Sequence, residues 1–111
     1  MSVIVVNKNH SHEYQTGVDY ILYIGRPSIL GNPFVICDTQ TRNEVIDKYL
    51  IWLRNEYLKK GEVYSLLNEL VERVERNQRV VLECYCKPLR CHGDIIKQAI
   101  EAIVMQRSLS L

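Results

Sequence analysis

RVVLECYC, residues 79–86, is the most strand-like run in the chain. Apolar and β-branched residues fill it almost without a break, the pattern of a strand covered on both faces inside a parallel sheet. Alternation along it puts Leu82, Cys84 and Cys86 on one side and Glu83 and Tyr85 on the other. Pro88 ends the strand, and Cys91 and His92 then stand just before a helix over about 93–106. Ile95, Ile96, Ala99, Ile100 and Ile103 mark that helix's apolar face.

Upstream of this strand the pattern is helical twice. Val63, Leu66, Leu67, Leu70, Val71 and Val74 predict a helix over about 63–76, and Val45, Ile46, Tyr49, Leu50, Leu53 and Tyr57 predict another ending near Leu58. Thr41 followed by Glu44 is a capping-box start for the earlier helix, and KKG (59–61) separates the two. Two further strands precede them, YILYIG (20–25) and VIVV (3–6), with a polar loop over 7–19 between them. His10 and His12 in that loop read as ordinary exposed residues. A strand, two helices and a second buried strand make a parallel crossover unit. The expected fold is therefore α/β: a small Rossmann-like sandwich, with a short, mostly parallel sheet and about three helices. The strand at 3–6 pairs beside either of the other two. One domain spans 1–111, with its main body at 20–106 and a frayed tail at 107–111.

At 111 residues, 47% apolar and 24% charged, the chain can bury a core of its own. A net charge of +1 gives no strong nucleic-acid signal. No secretory leader and no apolar run of membrane length is read, so the expected compartment is the cytoplasm, that of the host if the chain is phage-encoded. Cysteines there stay reduced. Three of the four fall within 84–94, and only Cys37 stands apart, which turns attention from disulfides to metal or chemistry.

Ligands of open parallel sheets bind beyond the carboxyl ends of the strands. Two unusual loops leave at that end, GRPSILGNPF (25–34) and CYCKPLRCHGD (84–94). In the first, Arg26 suits a phosphate or carboxylate, Gly25, Ser28, Gly31, Asn32 and Pro33 make turns with free amides, and Phe34 can stack on a ring. In the second, three readings stand. Cys84, Cys86, Cys91 and His92 could be a Cys3His zinc set, although C-x-C is tight for a zinc knuckle. Cys91 or Cys86 could be a nucleophile, or His92 an acid/base aided by Asp94. The cysteines could also be small buried hydrophobes.

Together, Y-I-G-R-P-S-I-L-G-N-P-F and L-E-C-Y-C-K-P-L-R-C-H-G-D-I-I resemble the DUF4326 family over roughly residues 20–104, with Tyr85 where Trp is more usual. The resemblance implies that both loops are functional, through Gly25, Arg26, Ser28, Gly31, Asn32, Pro33, Phe34, Cys84, Cys86, Pro88, Cys91, His92 and Asp94. It also makes a phage origin plausible, and it implies no activity. The leading expectation is binding of a nucleotide or other phosphate-bearing ligand, with a hydrolase or N-glycosidic-bond activity as its enzymatic form. The amino end of the last helix would add an anion contact, and His92 with Asp94 would move protons or Cys91 would attack. The alternatives are a non-enzymatic binder of a host protein or signalling nucleotide, with a homo-oligomer as one form of it, and a zinc-stabilised interaction module.

Overall fold

The computed structural model describes residues 3–10, 17–34, 41–87 and 89–109. Cys37, His12 and Pro88 lie outside the described residues. The elements run β1 (Val3–Asn7), β2 (Tyr20–Tyr23), α1 (Arg42–Leu58), α2 (Glu62–Glu75), β3 (Val80–Cys84) and α3 (His92–Leu109), with a short 3-10 turn at Lys8–His10. The three strands form one parallel sheet in the order β1-β3-β2. The strand read from RVVLECYC is therefore central and all five of its residues are buried, Glu83 included, as its nearly unbroken apolar run suggests. The first strand pairs with it rather than with β2, Val3 lying opposite Val80 and Asn7 opposite Cys84.

Val3, Val80, Leu82 and Cys84 face the principal core, with Val5, Tyr20 and Leu22 packed at its margin. Ile46, Tyr49 and Leu53 of α1, Leu67, Leu70 and Val71 of α2, and Ile95, Ile96 and Ile100 of α3 complete it. Val81 and Glu83 alternate to the opposite face of β3 and are buried there.

Helix α1 starts as its sequence prescribes. Thr41 has extended backbone, and its hydroxyl accepts the Glu44 N–H at 3.2 Å. The Glu44 carboxylate returns to the Thr41 hydroxyl at 3.2 Å. Between α1 and α2 the left-handed residue is Lys60, with φ 57°, and not Gly61. Helix α3 approaches the sheet closely at Gly93. A Cβ there would stand 2.8 Å from both Ile24 Cδ1 and Val5 Cγ1, so glycine lets the helix start lie directly on β1 and the end of β2.

Three boundaries differ from expectation. β3 ends at Cys84, so Tyr85 and Cys86 belong to the following turn and the strand alternation does not reach them. β2 ends at Tyr23, and α3 continues through Leu109 instead of fraying at 107. Asn7 explains the first difference in part. Its side-chain amide donates to the carbonyls of Tyr85 (3.4 Å) and Lys87 (2.8 Å), replacing a backbone ladder with a side-chain clamp.

Candidate functional site

Because β2 and β3 are parallel neighbours, the loops leaving them meet, and between them lies an open cavity of about 500 Å³. The β2 loop contributes Tyr23, Gly25, Arg26, Asn32 and Phe34 to its wall. The β3 end and turn contribute Cys84, Tyr85 and Cys86, and the start of α3 contributes Cys91 and His92. The first turn of α1 closes it with Arg42, Val45 and Ile46.

The β2 loop is built from consecutive turns. The Ser28 N–H donates to Gly25 and the Gly31 N–H to Ser28, both at 2.9 Å, and the Arg26–Pro27 peptide is cis. Asn32 folds back so that its Oδ1 accepts the Phe34 N–H at 2.9 Å. A Cβ on Gly31 would lie 3.0 Å from the carbonyl oxygens of Gly25 and Ser28, so a larger residue would press the turn open by a few tenths of an ångström. The buried Tyr49 hydroxyl fixes this loop to α1 by donating to the Leu30 carbonyl at 2.7 Å. Burial holds that phenol well above its usual range. Two expectations change here. The Gly31 amide is spent inside the turn and is not offered to a ligand. Ser28 lies outside the cavity wall, its Oγ buried with no hydrogen-bond partner among the described residues.

The start of α3 is likewise closed on itself. The Asp94 carboxylate accepts the Cys91 N–H at 3.1 Å and pairs with Lys87. Cys91 Sγ accepts the Gly93 N–H at 3.2 Å, and the Asp94 N–H donates to the Cys91 carbonyl at 3.0 Å. Three amides expected to greet an anion are therefore already taken. Asp94 acts as a helix-start acceptor, outside the cavity wall and with no hydrogen bond to His92.

His92 is buried, 7% exposed, with Nε2 2.6 Å from the Ile24 carbonyl. A carbonyl only accepts, so Nε2 carries the proton and Nδ1 is the acceptor of the neutral ring. Burial, with Arg26 adding to it, lowers the imidazole pKa from its ordinary value. Its ring meets Tyr49 edge-on at 5.1 Å.

The sulfurs of Cys84 and Cys91 are 3.3 Å apart, and each residue is 1% exposed. Their shared hydrogen bond splits their acidities. It lowers the Cys84 thiol to about 6, while that same bond and burial push Cys91 up. The pair thus gives up one proton readily and holds the second. Among the described residues these side chains do not converge as the Cys3His set that the spacing raised. His92 Nε2 is turned to the Ile24 carbonyl, and no group of three or more His, Cys, Asp or Glu side chains converges as a metal site among the described residues.

Arg42 and Tyr23 are wall residues that the sequence reading passed over. The available signal was the placement of Arg42 directly after the N-cap, where a cation opposes the helix dipole. One of its nitrogens donates to the Arg90 carbonyl at 3.2 Å, which aims the side chain across the mouth of the cavity toward the β3 turn. Neither Arg26 nor Arg42 forms an ion pair, and the wall carries no carboxylate, among the described residues.

A family model described as "Domain of unknown function (DUF4326)" matches residues 6–102. The chain belongs to the DUF4326 family. The match takes in all three strands save the start of β1, both converging loops and most of α3, so the cavity lies wholly within the family's domain. No curated protein and no solved structure matches the chain. No helix among the described residues is long and apolar enough to cross a membrane.

Proposed function

We propose that this chain binds a nucleotide or another phosphate-bearing small molecule in the cavity at the carboxyl ends of β2 and β3. One observation carries the reading. Two arginines without ion-pair partners among the described residues face a cavity whose described wall holds no carboxylate. Guanidinium groups are forks matched to phosphate oxygens, and an unopposed pair of them favours an anion. The volume of about 500 Å³ is in the range of small-molecule sites. Phe34 and Tyr85 offer faces for a base, Tyr85 being held edge-on to Tyr23 at a centroid distance of 5.9 Å. Charge supplies the main anion contact here, because the Gly31 amide and the Cys91, Gly93 and Asp94 amides are already occupied.

Hydrolysis of the bound ligand would use His92, the neutral imidazole in the wall, to take a proton from water. Asp94 would assist only indirectly, by fixing the helix start on which His92 sits. The test is thermal denaturation with adenosine mono-, di- and triphosphate and inorganic pyrophosphate, on wild type, Arg26→Ala and Arg42→Ala. Stabilisation of wild type that falls in both variants is expected. No stabilisation by any of these anions would overturn the reading and direct attention to a protein partner.

A further inference from the structure

The two sulfurs at the base of the cavity invite a reaction that the anion reading does not use. Cys84 and Cys91 are free thiols whose Sγ atoms are already in contact at 3.3 Å. A disulfide needs about 2.05 Å, so closure requires an approach of about 1.3 Å. The backbones on both sides are fixed. Cys84 ends the central strand, and Cys91 is held by the Asp94 carboxylate on its N–H and by the Gly93 N–H on its sulfur. Both residues line the cavity, each only 1% exposed, so a small oxidant reaches them from that side.

We propose that Cys84 and Cys91 form a redox dithiol, oxidised to an intramolecular disulfide by hydrogen peroxide or a small organic hydroperoxide entering the cavity. The Cys84 sulfur, as thiolate, attacks a peroxide oxygen. The O–O bond breaks, the departing oxygen takes a proton and leaves as water or alcohol, and Cys84 becomes a sulfenic acid. Cys91 then attacks the sulfenic sulfur. The S–S bond forms, and the hydroxyl leaves as water with the Cys91 proton. Two thiols lose two electrons and two protons, and the peroxide gains both. The hydrogen bond from Cys91 favours Cys84 as the attacking sulfur, since the thiolate is the nucleophile. A thiol seven residues away would ordinarily have to find its partner by diffusion of the chain. Here the fold has placed it in contact before the reaction begins.

The test uses the reduced full chain with equimolar hydrogen peroxide, quenching with a maleimide, and intact mass followed by tryptic mapping. Cleavage after Arg90 puts Cys84 and Cys91 on separate peptides. The expected product has lost two hydrogen atoms, links those two peptides through Cys84 and Cys91, and leaves Cys37 and Cys86 alkylated. It should form at least about tenfold faster in the folded chain than in urea, the gain expected of preplaced groups. Cys91→Ser should stop at a Cys84 sulfenic acid that dimedone traps. Four alkylatable thiols after treatment, a link through Cys86 or Cys37, or equal rates in folded and unfolded chain would each overturn the proposal. The wild-type map decides the matter even if the serine variant fails to fold.

Discussion

His92 makes the stability of this chain sensitive to mild acid, by an amount that the structure bounds. The ring is 7% exposed, its Nε2 proton is committed to the Ile24 carbonyl, and burial lowers its pKa below the ordinary 6.5. A base whose folded pKa lies below its unfolded one binds more protons when unfolded. Stability from this group is therefore complete above about pH 6.5 and declines as the pH falls below it. Moving from about pH 7.5 to about pH 5.5 brings the unfolded imidazole from mostly neutral to about ten-to-one protonated. If the folded ring stays neutral throughout, the loss reaches at most about 1.4 kcal/mol. Urea unfolding of wild type and His92→Gln at both pH values isolates this share. Glutamine is neutral throughout and has an amide that can still donate to Ile24. Carboxylates and the thiol pair act on both chains alike and cancel in the comparison. Wild type should lose up to about 1.4 kcal/mol more than the variant on acidification. Equal losses in the two chains would refute the burial of a neutral His92.

Other perturbations give independent checks. Tyr49→Phe removes the hydroxyl bonded to the Leu30 carbonyl and should destabilise the chain by about 1–3 kcal/mol in urea titration, because a buried acceptor loses its donor. It should also weaken ligand-induced stabilisation, since that bond fixes the loop bearing Asn32 and Phe34. Gly93→Ala places a Cβ 2.8 Å from Ile24 and Val5 and should cost about 1–3 kcal/mol through overpacking, against a helix-propensity gain of up to about 1 kcal/mol. Net stabilisation would show that the α3 start is not tightly seated. Thiolate ultraviolet absorbance should rise by one equivalent with a midpoint near the value of about 6 set at Cys84, and Cys91→Ala, which removes the donor, should move that step upward.

The parallel sheet and the meeting of its two loops were legible because buried strands and capped helices have strong local signatures. A nearly unbroken apolar run such as VVLEC needs cover on both faces, and a Thr41–Glu44 pair needs a helix behind it. The order β1-β3-β2 was not legible, since VIVV pairs equally well on paper with either strand and only the packed sheet chooses. The cysteine cluster was legible as a place but not as an arrangement. Strand alternation grouped Cys84 with Cys86, but the strand stops at Cys84, and its sulfur meets Cys91 across the turn instead. Asp94 looked like a partner for His92 because the two are near in sequence. The helix geometry gives its carboxylate to the Cys91 amide and to Lys87. Arg42 went unread because its place after the N-cap Thr41 says only that a helix begins there, and its role comes from where α1 begins relative to a loop more than seven residues before it.

The parallel order also governs how the chain must be made. Val3 pairs with Val80, 77 positions later, and Tyr20 pairs with the same residue from the other side. The strand that joins the two outer ones is the last of the three to leave the ribosome. At about 5–20 residues per second, β1 waits on the order of 4–15 s for its partner. In that interval VIVV is an apolar strand with both edges open, a target for chaperones or for the same segment on a neighbouring nascent chain. Synthesis of residues 80–84 thus supplies the strand on which both outer strands pair, and the cavity is complete only once Tyr85, Cys86 and the start of α3 have followed.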